Sequence, residues 1–447
     1  MFAGSYIYKT TIAKYFELYD RSWKDLHGTM KNRQDYPGRT IVTTWQISFD
    51  QLKLKDEGAA NLLRLWGYLD NHDLWYELLL WRGHRSAAPP WLLKVTSTEV
   101  TFLETIETLL DYSLIERNEN NKSYSMHAVV HDWIRTSINE KNNDGLLELA
   151  IATVGLAVPG NNTRDSWEVQ RRLLQHIMQF SQYLTPKTKL RGEVDTESLL
   201  ASFNNIGRLY VRQGQLSLAE NMYLRALSGR EAAHGRDHAL TLNVINNLGN
   251  CYRHQLKFDE AEAMFKRALG GYRKDYSRGY LSALKSTNNL ANLYWHQKRL
   301  TEAEDLYLQA LDGLEKELGA DHTITLSTVN NLGTLYRNQH RYEDSEAMYK
   351  RALEGREQAL GPNHRSTLNT ANSLAVLYCT LGRDEEAEVL YKRSLAGREQ
   401  SLGAGHNSTV RTARGLVELY EKHGRYPEAE SLTLRMKRSS VRHDSHS

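Results

Sequence analysis

The sequence has only two cysteines, Cys251 and Cys379, among its 447 residues. Two thiols are too few for a disulfide framework or for a four-cysteine zinc site. No apolar run approaches the roughly 18 to 20 residues that a membrane span requires. Residues 1–8 also lack the charged start and apolar core of a secretory signal. These absences predict a cytoplasmic protein without a membrane segment.

Proline is scarce as well, with seven residues in the whole chain, which favours long uninterrupted helices. The net charge of +3 gives no whole-chain indication of nucleic-acid binding. Hydrophobic residues make up 40% and charged residues 25%, values that exclude a wholly disordered or collagen-like chain. The HExxH, G-x-S-x-G and Cys-x-x-Cys motifs are all missing. The sequence therefore predicts a protein without enzyme activity, cofactor or metal.

Tryptophan is almost confined to the first half of the chain. Eight of the nine tryptophans precede residue 170, and Trp295 is the exception. Two differently built regions are the simplest explanation of this distribution.

The second half repeats itself every 42 residues. Tyrosine keeps this spacing at Tyr210, Tyr252, Tyr294, Tyr336, Tyr378 and Tyr420. Glutamate keeps it at Glu220, Glu262, Glu304, Glu346, Glu388 and Glu430. Six registers without an insertion indicate six structural repeats.

Each repeat has the spacing of two helices. Ile245, Leu248, Gly249 and Tyr252 share one helix face, and Ala261 to Leu269 continue the pattern on a second helix. Ser217, Asp259 and Thr301 each precede a glutamate by three residues, the spacing of a capping box. We expect these residues to cap the second helices.

The repeats resemble a known family. Leu248-Gly249-Asn250-Cys251-Tyr252, followed by Ala261 and Phe265, matches the tetratricopeptide pattern. The inter-repeat loops Gly235 to His238, Gly319 to His322, Gly361 to His364 and Gly403 to His406 are similar to those of the kinesin light chain type. Ser277 and Tyr280 replace the glycine and histidine at one junction, which predicts a differently shaped loop there. The resemblance covers residues 201–436 and implies a right-handed α-solenoid with a concave groove.

The resemblance also implies which residues line that groove. They are the amides and arginines of the first helices: Asn204, Asn205, Arg208, Asn246, Asn247, Asn250, Arg253, Asn288, Asn289, Asn292, Asn330, Asn331, Arg337 and Asn372. An amide both donates and accepts, so a ladder of amides can pair with an extended peptide backbone. Arg253 and Arg337 would favour acidic residues. The alternative is that the asparagines bridge neighbouring helices.

The periodic histidines allow two interpretations. A metal site would need them to converge, whereas they belong to separate repeats and have no cysteine nearby. We expect them to have a structural role in the loops.

The first half predicts a compact helical domain at residues 41–140. Its helices are expected near 48–52, 59–68, 73–80, 101–110 and 131–138, with a break at Pro89-Pro90. Leu114 to Glu116 and Tyr124 to Met126 are expected to form the two strands of a wing. Residues 1–30 have helical spacing as well.

This half resembles the winged-helix end of a fungal NB-ARC module of the STAND, or NOD-like receptor, class. The resemblance rests on Thr43 to Ser48, Ala60 to Trp66 and Met126 to Trp133. In that family a Met-His-Asp motif touches bound ADP, and here the histidine is His127, followed by Ala128 instead of aspartate. The chain has no G-x-x-x-x-G-K-[ST] motif, so His127 is at most a vestigial nucleotide contact, and the chain is expected to begin after the ATPase core. The candidate groove-reading helix, Thr101 to Asp111, is acidic, which argues against DNA binding.

The predicted organisation is therefore mainly all-α, in five parts. Residues 1–40 are a helical remnant of the NB-ARC module, 41–140 are winged-helix-like, 141–200 are bridging and capping helices, 201–436 are the six repeats, and 437–447 are a disordered tail.

The predicted function is a non-enzymatic scaffold whose groove binds a protein or peptide, as the sensor of a STAND-like protein. The N-terminal region packs on the repeats or self-associates with another chain. One alternative is a STAND ATPase switch whose nucleotide-binding core is missing from this chain. Another is a kinesin-light-chain-like cargo adaptor, although the first half has no heptad run for pairing with a heavy chain.

Overall fold

A computed structural model describes residues 41–81, 83–118, 123–139, 145–160, 166–184, 194–274 and 276–444. These residues contain 19 α-helices and three short strands, which confirms the mainly all-α fold. They divide into two compact units, and the division falls between Asn205 and Ile206. The helical segment predicted in residues 1–30 lies outside the described residues.

The first unit contains seven α-helices and residues 196–205 of the next one among its described residues. They are α1 (Ile41–Lys55), α2 (Glu57–Trp66), α3 (Pro90–Val95), α4 (Glu99–Asp111), α5 (Ala128–Trp133), α6 (Leu146–Ala157) and α7 (Ser166–Ser181). Asp56 and Thr98 cap α2 and α4 through their side chains, as expected for short polar residues before an apolar helix. Helix α5 continues as a π-helical turn, Ile134–Asn139.

The strands form one small antiparallel sheet in the order β1-β3-β2. They are β1 (Leu74–Trp75), β2 (Glu116–Arg117) and β3 (Ser123–Ser125). Strands β2 and β3 therefore lie at the two segments that were predicted to be strands, shifted by one or two residues. The helix predicted over 73–80 is wrong: β1 and a 3-10 turn, Tyr76–Leu79, occupy this segment. Leu74 pairs with Tyr124, and the sheet pairing overrides the local helical spacing.

Helices α6 and α7 belong to this first unit, which differs from the expectation that residues 141–200 cap the repeats. Polar contacts anchor both helices there. The Trp81 indole donates to Thr153 on α6 at 3.0 Å. On α7, Arg172 forms an ion pair with Asp73 and lies over the Trp75 ring at 3.8 Å. These contacts join residues that are 72 to 99 positions apart in the sequence, so local spacing did not reveal them.

Twelve helices form the six repeats, each with a first and a second helix. Repeat 1 has α8 (Thr196–Arg212) and α9 (Leu216–His234), repeat 2 has α10 (Ala239–His254) and α11 (Phe258–Lys274), and repeat 3 has α12 (Tyr276–His296) and α13 (Leu300–Leu318). Repeat 4 has α14 (Thr323–Asn338) and α15 (Tyr342–Leu360), repeat 5 has α16 (Arg365–Thr380) and α17 (Asp384–Leu402), and repeat 6 has α18 (Asn407–Lys422) and α19 (Tyr426–Asp444).

Within a repeat, small residues let the two helices approach closely. A Cβ atom on Gly249 would lie 2.8 Å from the fully buried ring of Phe265, and one on Gly333 would lie 2.9 Å from Tyr349. These separations are shorter than carbon contacts allow, so the glycines make room for the aromatic rings.

The predicted capping boxes are wrong. Helices α9 and α13 begin at Leu216 and Leu300, one residue before Ser217 and Thr301, and the residues ahead of them make no side-chain cap. The periodic glutamates instead bind the next repeat. Glu346, for example, accepts from Tyr378 at 3.1 Å and from Arg383 at 2.8 Å.

Arginines in the turn between helices complete this brace between repeats. Arg299, Arg341, Arg383 and Arg425 lie over the rings of Tyr294, Tyr336, Tyr378 and Tyr420 at 3.7–4.3 Å. The stacking is a cation–π contact, and the same arginines pair with the glutamate of the preceding repeat. This explains why tyrosine and glutamate share the 42-residue period.

Helix α19 runs to Asp444, so the prediction of disorder from residue 437 is wrong for residues 437–444. This segment contains neither glycine nor proline, and nothing in it ends the helix. Within the described part of the chain, every helix is too short or too polar to cross a bilayer.

Candidate functional site

The first helices of the repeats form the inner layer of the array. From repeat 2 to repeat 6, successive first helices come closer together than successive second helices do. In a curved stack of helical hairpins, the more closely spaced layer lies on the concave side. The asparagines predicted to bind a ligand all lie on these first helices. We call the half-buried set Asn246, Asn247, Asn250, Asn288, Asn289, Asn292, Asn330, Asn331 and Asn372 the amide face.

Side-chain hydrogen bonds connect the amide face from one repeat to the next. Asn289 donates its Nδ2 to Oδ1 of Asn246 at 3.2 Å, and Asn331 donates to Oδ1 of Asn288 at 3.5 Å. Asn288 also accepts from Thr328 at 3.1 Å. Between repeats 5 and 6, Thr412 donates to Asn372 at 3.0 Å. These asparagines therefore bridge helices, as in the alternative interpretation of the sequence.

Each bridge uses only half of each amide. The Nδ2 groups of Asn246 and Asn288 and the Oδ1 groups of Asn289 and Asn331 have no side-chain partner among the described residues. Each bridged pair thus retains one donor and one acceptor on half-buried side chains. Bridging and ligand binding are compatible at these positions.

Other predicted site residues bond within their own repeat or outside the amide face. Asn250 donates to the Asn246 carbonyl at 3.3 Å, and Asn247 donates to Asn243 at 3.4 Å. Asn292 accepts from the Tyr307 hydroxyl at 2.7 Å. Asn205 lies in the first unit and donates to the Gly155 carbonyl at 3.1 Å. The Oδ1 atom of Asn330 is buried and has no hydrogen-bond partner among the residues that the structure describes.

Arg253 contacts two histidines rather than a carboxylate. Its guanidinium lies 3.0 Å from Nε2 of His296 and 3.2 Å from Nε2 of His254. Burial lowers the pKa of all three groups, and the Arg253 charge further lowers the pKa of both imidazoles. Neutral imidazoles can accept these hydrogen bonds, so Arg253 is held in place without its charge being neutralised.

Arg337 lines an open cavity of about 430 Å³. Lys298, Asn338 and His340 supply further polar groups, and Leu300, Tyr342, Val376 and Thr380 complete the wall. Neither Arg337 nor Lys298 has an ion-pair partner in the described part of the chain. The cavity combines positive charge with apolar surface, which suits a carboxylate next to an apolar side chain.

Charge is distributed unevenly between the two layers. Helices α10, α12, α14 and α16 contain arginine or lysine but no aspartate or glutamate. The second helix α13 carries six acidic residues and one lysine: Glu302, Glu304, Asp305, Asp312, Glu315, Glu317 and Lys316. The inner layer of repeats 2 to 5 is therefore basic and amide-rich, and we expect it to attract a negatively charged ligand.

The periodic histidines cap the first helices. His238, His322, His364 and His406 accept through Nδ1 from the backbone N–H two residues on, at 3.1–3.3 Å. The preceding Gly235, Gly319, Gly361 and Gly403 have φ of +82° to +89°, which favours glycine. At the atypical junction α12 already begins at Tyr276, so the predicted difference in that loop is present. Among the residues that the structure describes, no cluster could hold a metal ion.

His127 has a similar structural role in the first unit. It caps α5, and its Nδ1 accepts from the Val129 N–H at 3.3 Å. Burial lowers the pKa of His127, which keeps the imidazole neutral as a cap requires. This geometry accounts for the residue without a nucleotide.

Comparison with protein families identifies the second unit. The tetratricopeptide repeat model matches residues 198–274, 282–358, 324–400 and 369–433, which together make up half of the chain. The chain belongs to the tetratricopeptide repeat family. A second tetratricopeptide repeat model matches residues 246–317. Residues 48–143 match a domain of unknown function (DUF7779). No curated protein matches the sequence.

Several solved structures are similar to this tetratricopeptide repeat protein. BtubC from P. vanneervenii is 21% identical with a TM-score of 0.46, over 51% of this chain and 92% of that one. A Podosopora anserina protein with nearly identical TPR-like repeats of kinesin light chain type is 20% identical with a TM-score of 0.37, over 45% and 96%. A STAND protein with a tetratricopeptide repeat sensor from Pyrococcus horikoshii is 14% identical with a TM-score of 0.44, over 97% and 64%.

Proposed function

We propose that the repeat array is a non-enzymatic scaffold that binds an extended acidic polypeptide along the amide face. The observation that carries this proposal is the absence of carboxylates from four successive first helices that present amides, arginine and lysine. The free halves of the bridged amides pair with the peptide backbone, and this pairing is independent of the peptide's sequence. The preference for acidic side chains comes from the cations beside the amides.

The Arg337 cavity is the proposed place for one acidic side chain. The equivalent position one repeat earlier holds Trp295, which has no charge to offer. One repeat later, Cys379 takes that position. The nearby basic side chains of Lys422 and His423 are already paired with Asp384. Repeat 4 therefore offers an unpaired guanidinium beside a cavity.

Fluorescence anisotropy with the full chain tests the proposal. The probes are two labelled 12-residue peptides with blocked ends, one alternating aspartate with leucine and the other alternating lysine with leucine. We expect the acidic peptide to bind and the basic peptide not to bind. Arg337→Gln should weaken binding by roughly ten- to hundredfold, since a charge-assisted hydrogen bond contributes roughly 1.5–3 kcal/mol.

Lys316→Gln is the matched control, because it removes the same charge from the outer helix α13, where Lys316 is exposed. A second variant replaces Asn247, Asn289 and Asn331 by alanine, with its thermal unfolding recorded to confirm folding. Equal affinity of the acidic peptide for all four proteins would refute the assignment of the groove.

We further propose that this chain is the sensor part of a STAND-like signalling protein, with the first unit as the winged-helix part that couples the sensor to a switch. The order of the parts supports this, since residues 48–143 match a domain of their own and precede the repeats. The antiparallel pair of β2 and β3 after α4 supports a wing. A genomic sequence that encodes a Gly-Lys-Ser or Gly-Lys-Thr segment in frame upstream of Met1 would favour this role, and tight ATP binding by the chain as given would contradict it.

A further inference from the structure

Arg253, in the last turn of α10, donates to two imidazoles, one on its own helix and one on the first helix of the next repeat. Its terminal nitrogens lie 3.2 Å from Nε2 of His254 and 3.0 Å from Nε2 of His296. A guanidinium can only donate hydrogen bonds, so each Nε2 atom has to accept and each ring carries its proton on Nδ1. The bridge therefore requires both imidazoles to be neutral.

The charged groups described around this bridge are all positive. None of the three side chains forms an ion pair with a carboxylate among the residues that the structure describes. Burial lowers the pKa of both imidazoles, and the Arg253 charge lowers it further. Lys298, in the turn after α12, adds to this effect at His296, and the Tyr307 hydroxyl of α13 acts on Arg253. The Arg253 charge thus lies uncompensated beside two groups that can take up a proton.

The bridge lies next to the amide face. Arg253 stands one turn after Asn250, and His296 stands one turn after Asn292, on the same sides of their helices. Both histidines are exposed, so a ligand on the amide face can reach them. The equivalent position in repeat 4 holds Asn338, which does not titrate. The histidine pair therefore distinguishes repeats 2 and 3 from repeat 4.

Protonation of either imidazole changes what the bridge can hold. The new Nε2–H would face a guanidinium N–H, so two donors and two like charges would stand at the present 3.0–3.2 Å. A carboxylate placed between them accepts from both groups and offsets both charges. We propose that Arg253, His254 and His296 form a proton-linked site for a carboxylate of the bound polypeptide, whose affinity rises as the pH falls below 7. This inference rests on the proposed function and adds a second anchoring point to it.

Carboxylate binding raises the pKa of the imidazoles, because it replaces repulsion from Arg253 by attraction. The gain in affinity is therefore complete below the pKa of the free protein and is lost as pH rises through the pKa of the complex. Uptake of one proton changes the affinity about tenfold per pH unit between these two values. We expect the acidic peptide to bind about tenfold more tightly at pH 5.5 than at pH 7.5. Its aspartates have an ordinary pKa of about 3.9 and remain ionised at both pH values.

Fluorescence anisotropy with the full chain and the aspartate–leucine peptide, at both pH values and constant ionic strength, measures this gain. The double variant His254→Gln and His296→Gln keeps an acceptor for Arg253 at each position but takes up no proton, so its affinity should not rise at the lower pH. His72→Gln is the matched control, because His72 is an exposed histidine of the first unit, and it should keep the whole gain. An equal gain in the parent protein and in the double variant would overturn the proposal.

Nuclear magnetic resonance titration of the histidine Cε1–H signals tests the site with and without the peptide. Arg253→Gln should raise the pKa of both imidazoles in the free protein, since a neighbouring positive charge is removed. Saturation with the acidic peptide should raise both pKa values in the parent protein, and unchanged values on binding would overturn the proposal. Failure of the proposed function has a different signature, because the acidic peptide would then bind no better than the basic peptide at either pH.

Discussion

Replacing Asn292 by alanine tests how far the amide face supports the fold itself. The Tyr307 hydroxyl donates to Asn292 at 2.7 Å, and Tyr307 is 1% exposed. Burial raises the pKa of Tyr307, so the hydroxyl stays protonated and needs an acceptor. A buried hydroxyl that loses its partner costs about 1–3 kcal/mol. We expect Asn292→Ala to lower the free energy of unfolding by that amount.

The matched variant is Tyr307→Phe, which removes the donor and leaves Asn292 half-buried and within reach of water. It should cost about 1 kcal/mol or less, the net contribution of an ordinary hydrogen bond. The double variant should be about as stable as Tyr307→Phe alone, because no hydroxyl remains to be stranded.

Urea denaturation followed by circular dichroism measures these differences. Hydrogen exchange of peptides from α12 and α13 then locates the change, with exchange about tenfold faster for each 1.4 kcal/mol lost. If Asn292→Ala cost less than about 0.5 kcal/mol, or if the double variant were less stable than both single variants, the structural role of this amide would be refuted.

Three further predictions concern the rest of the chain. Burial, with the charges of nearby arginines, lowers the pKa of His364 and His406 in the folded protein. Their contribution to stability is therefore complete above the ordinary histidine pKa of about 6.5 and is lost as pH falls through the pKa values of the folded state. The melting temperature should fall from pH 7 to pH 5, and a flat profile would contradict the capping role. Gly155→Ala should destabilise the first unit by about 1–3 kcal/mol through overpacking, because its Cβ would lie 2.3 Å from that of Ser202; unfolding in urea checks this, and an unchanged midpoint would exclude the close packing. His127→Ala should cost about 1 kcal/mol in the same assay through loss of a helix cap, and His127→Asn should restore most of it; failure of asparagine to restore stability would argue against the cap.

The repeats could be predicted from the sequence because their signals are local and are repeated six times. The 42-residue period, the helix spacing around Gly249 and the glycine–histidine loops each depend on residues within one turn or one hairpin. The small sheet was harder to predict from the sequence. Its strand β1 is two residues long and is stabilised by pairing with Tyr124, 50 positions away, so no local pattern indicated it.

The roles of the periodic polar residues needed the structure. The spacing of Thr301 and Glu304 fits a capping box, yet Glu304 accepts from Arg341 of the next repeat at 2.7 Å. Likewise, the sequence placed the asparagines on one face but could not tell a bridge from a ligand contact. Asn246 and Asn289 prove to be bonded to each other while each keeps half of its amide free.

Sequence alone therefore determined the repeat, its helices and the side of the array that carries the amides, because helical periodicity sorts residues by face. Only the tertiary structure decided which amides are already engaged and where Arg337 lies beside a cavity. These features depend on how each repeat is rotated and displaced relative to the next. The small displacements add up over five repeats, and no single segment of the sequence records their sum.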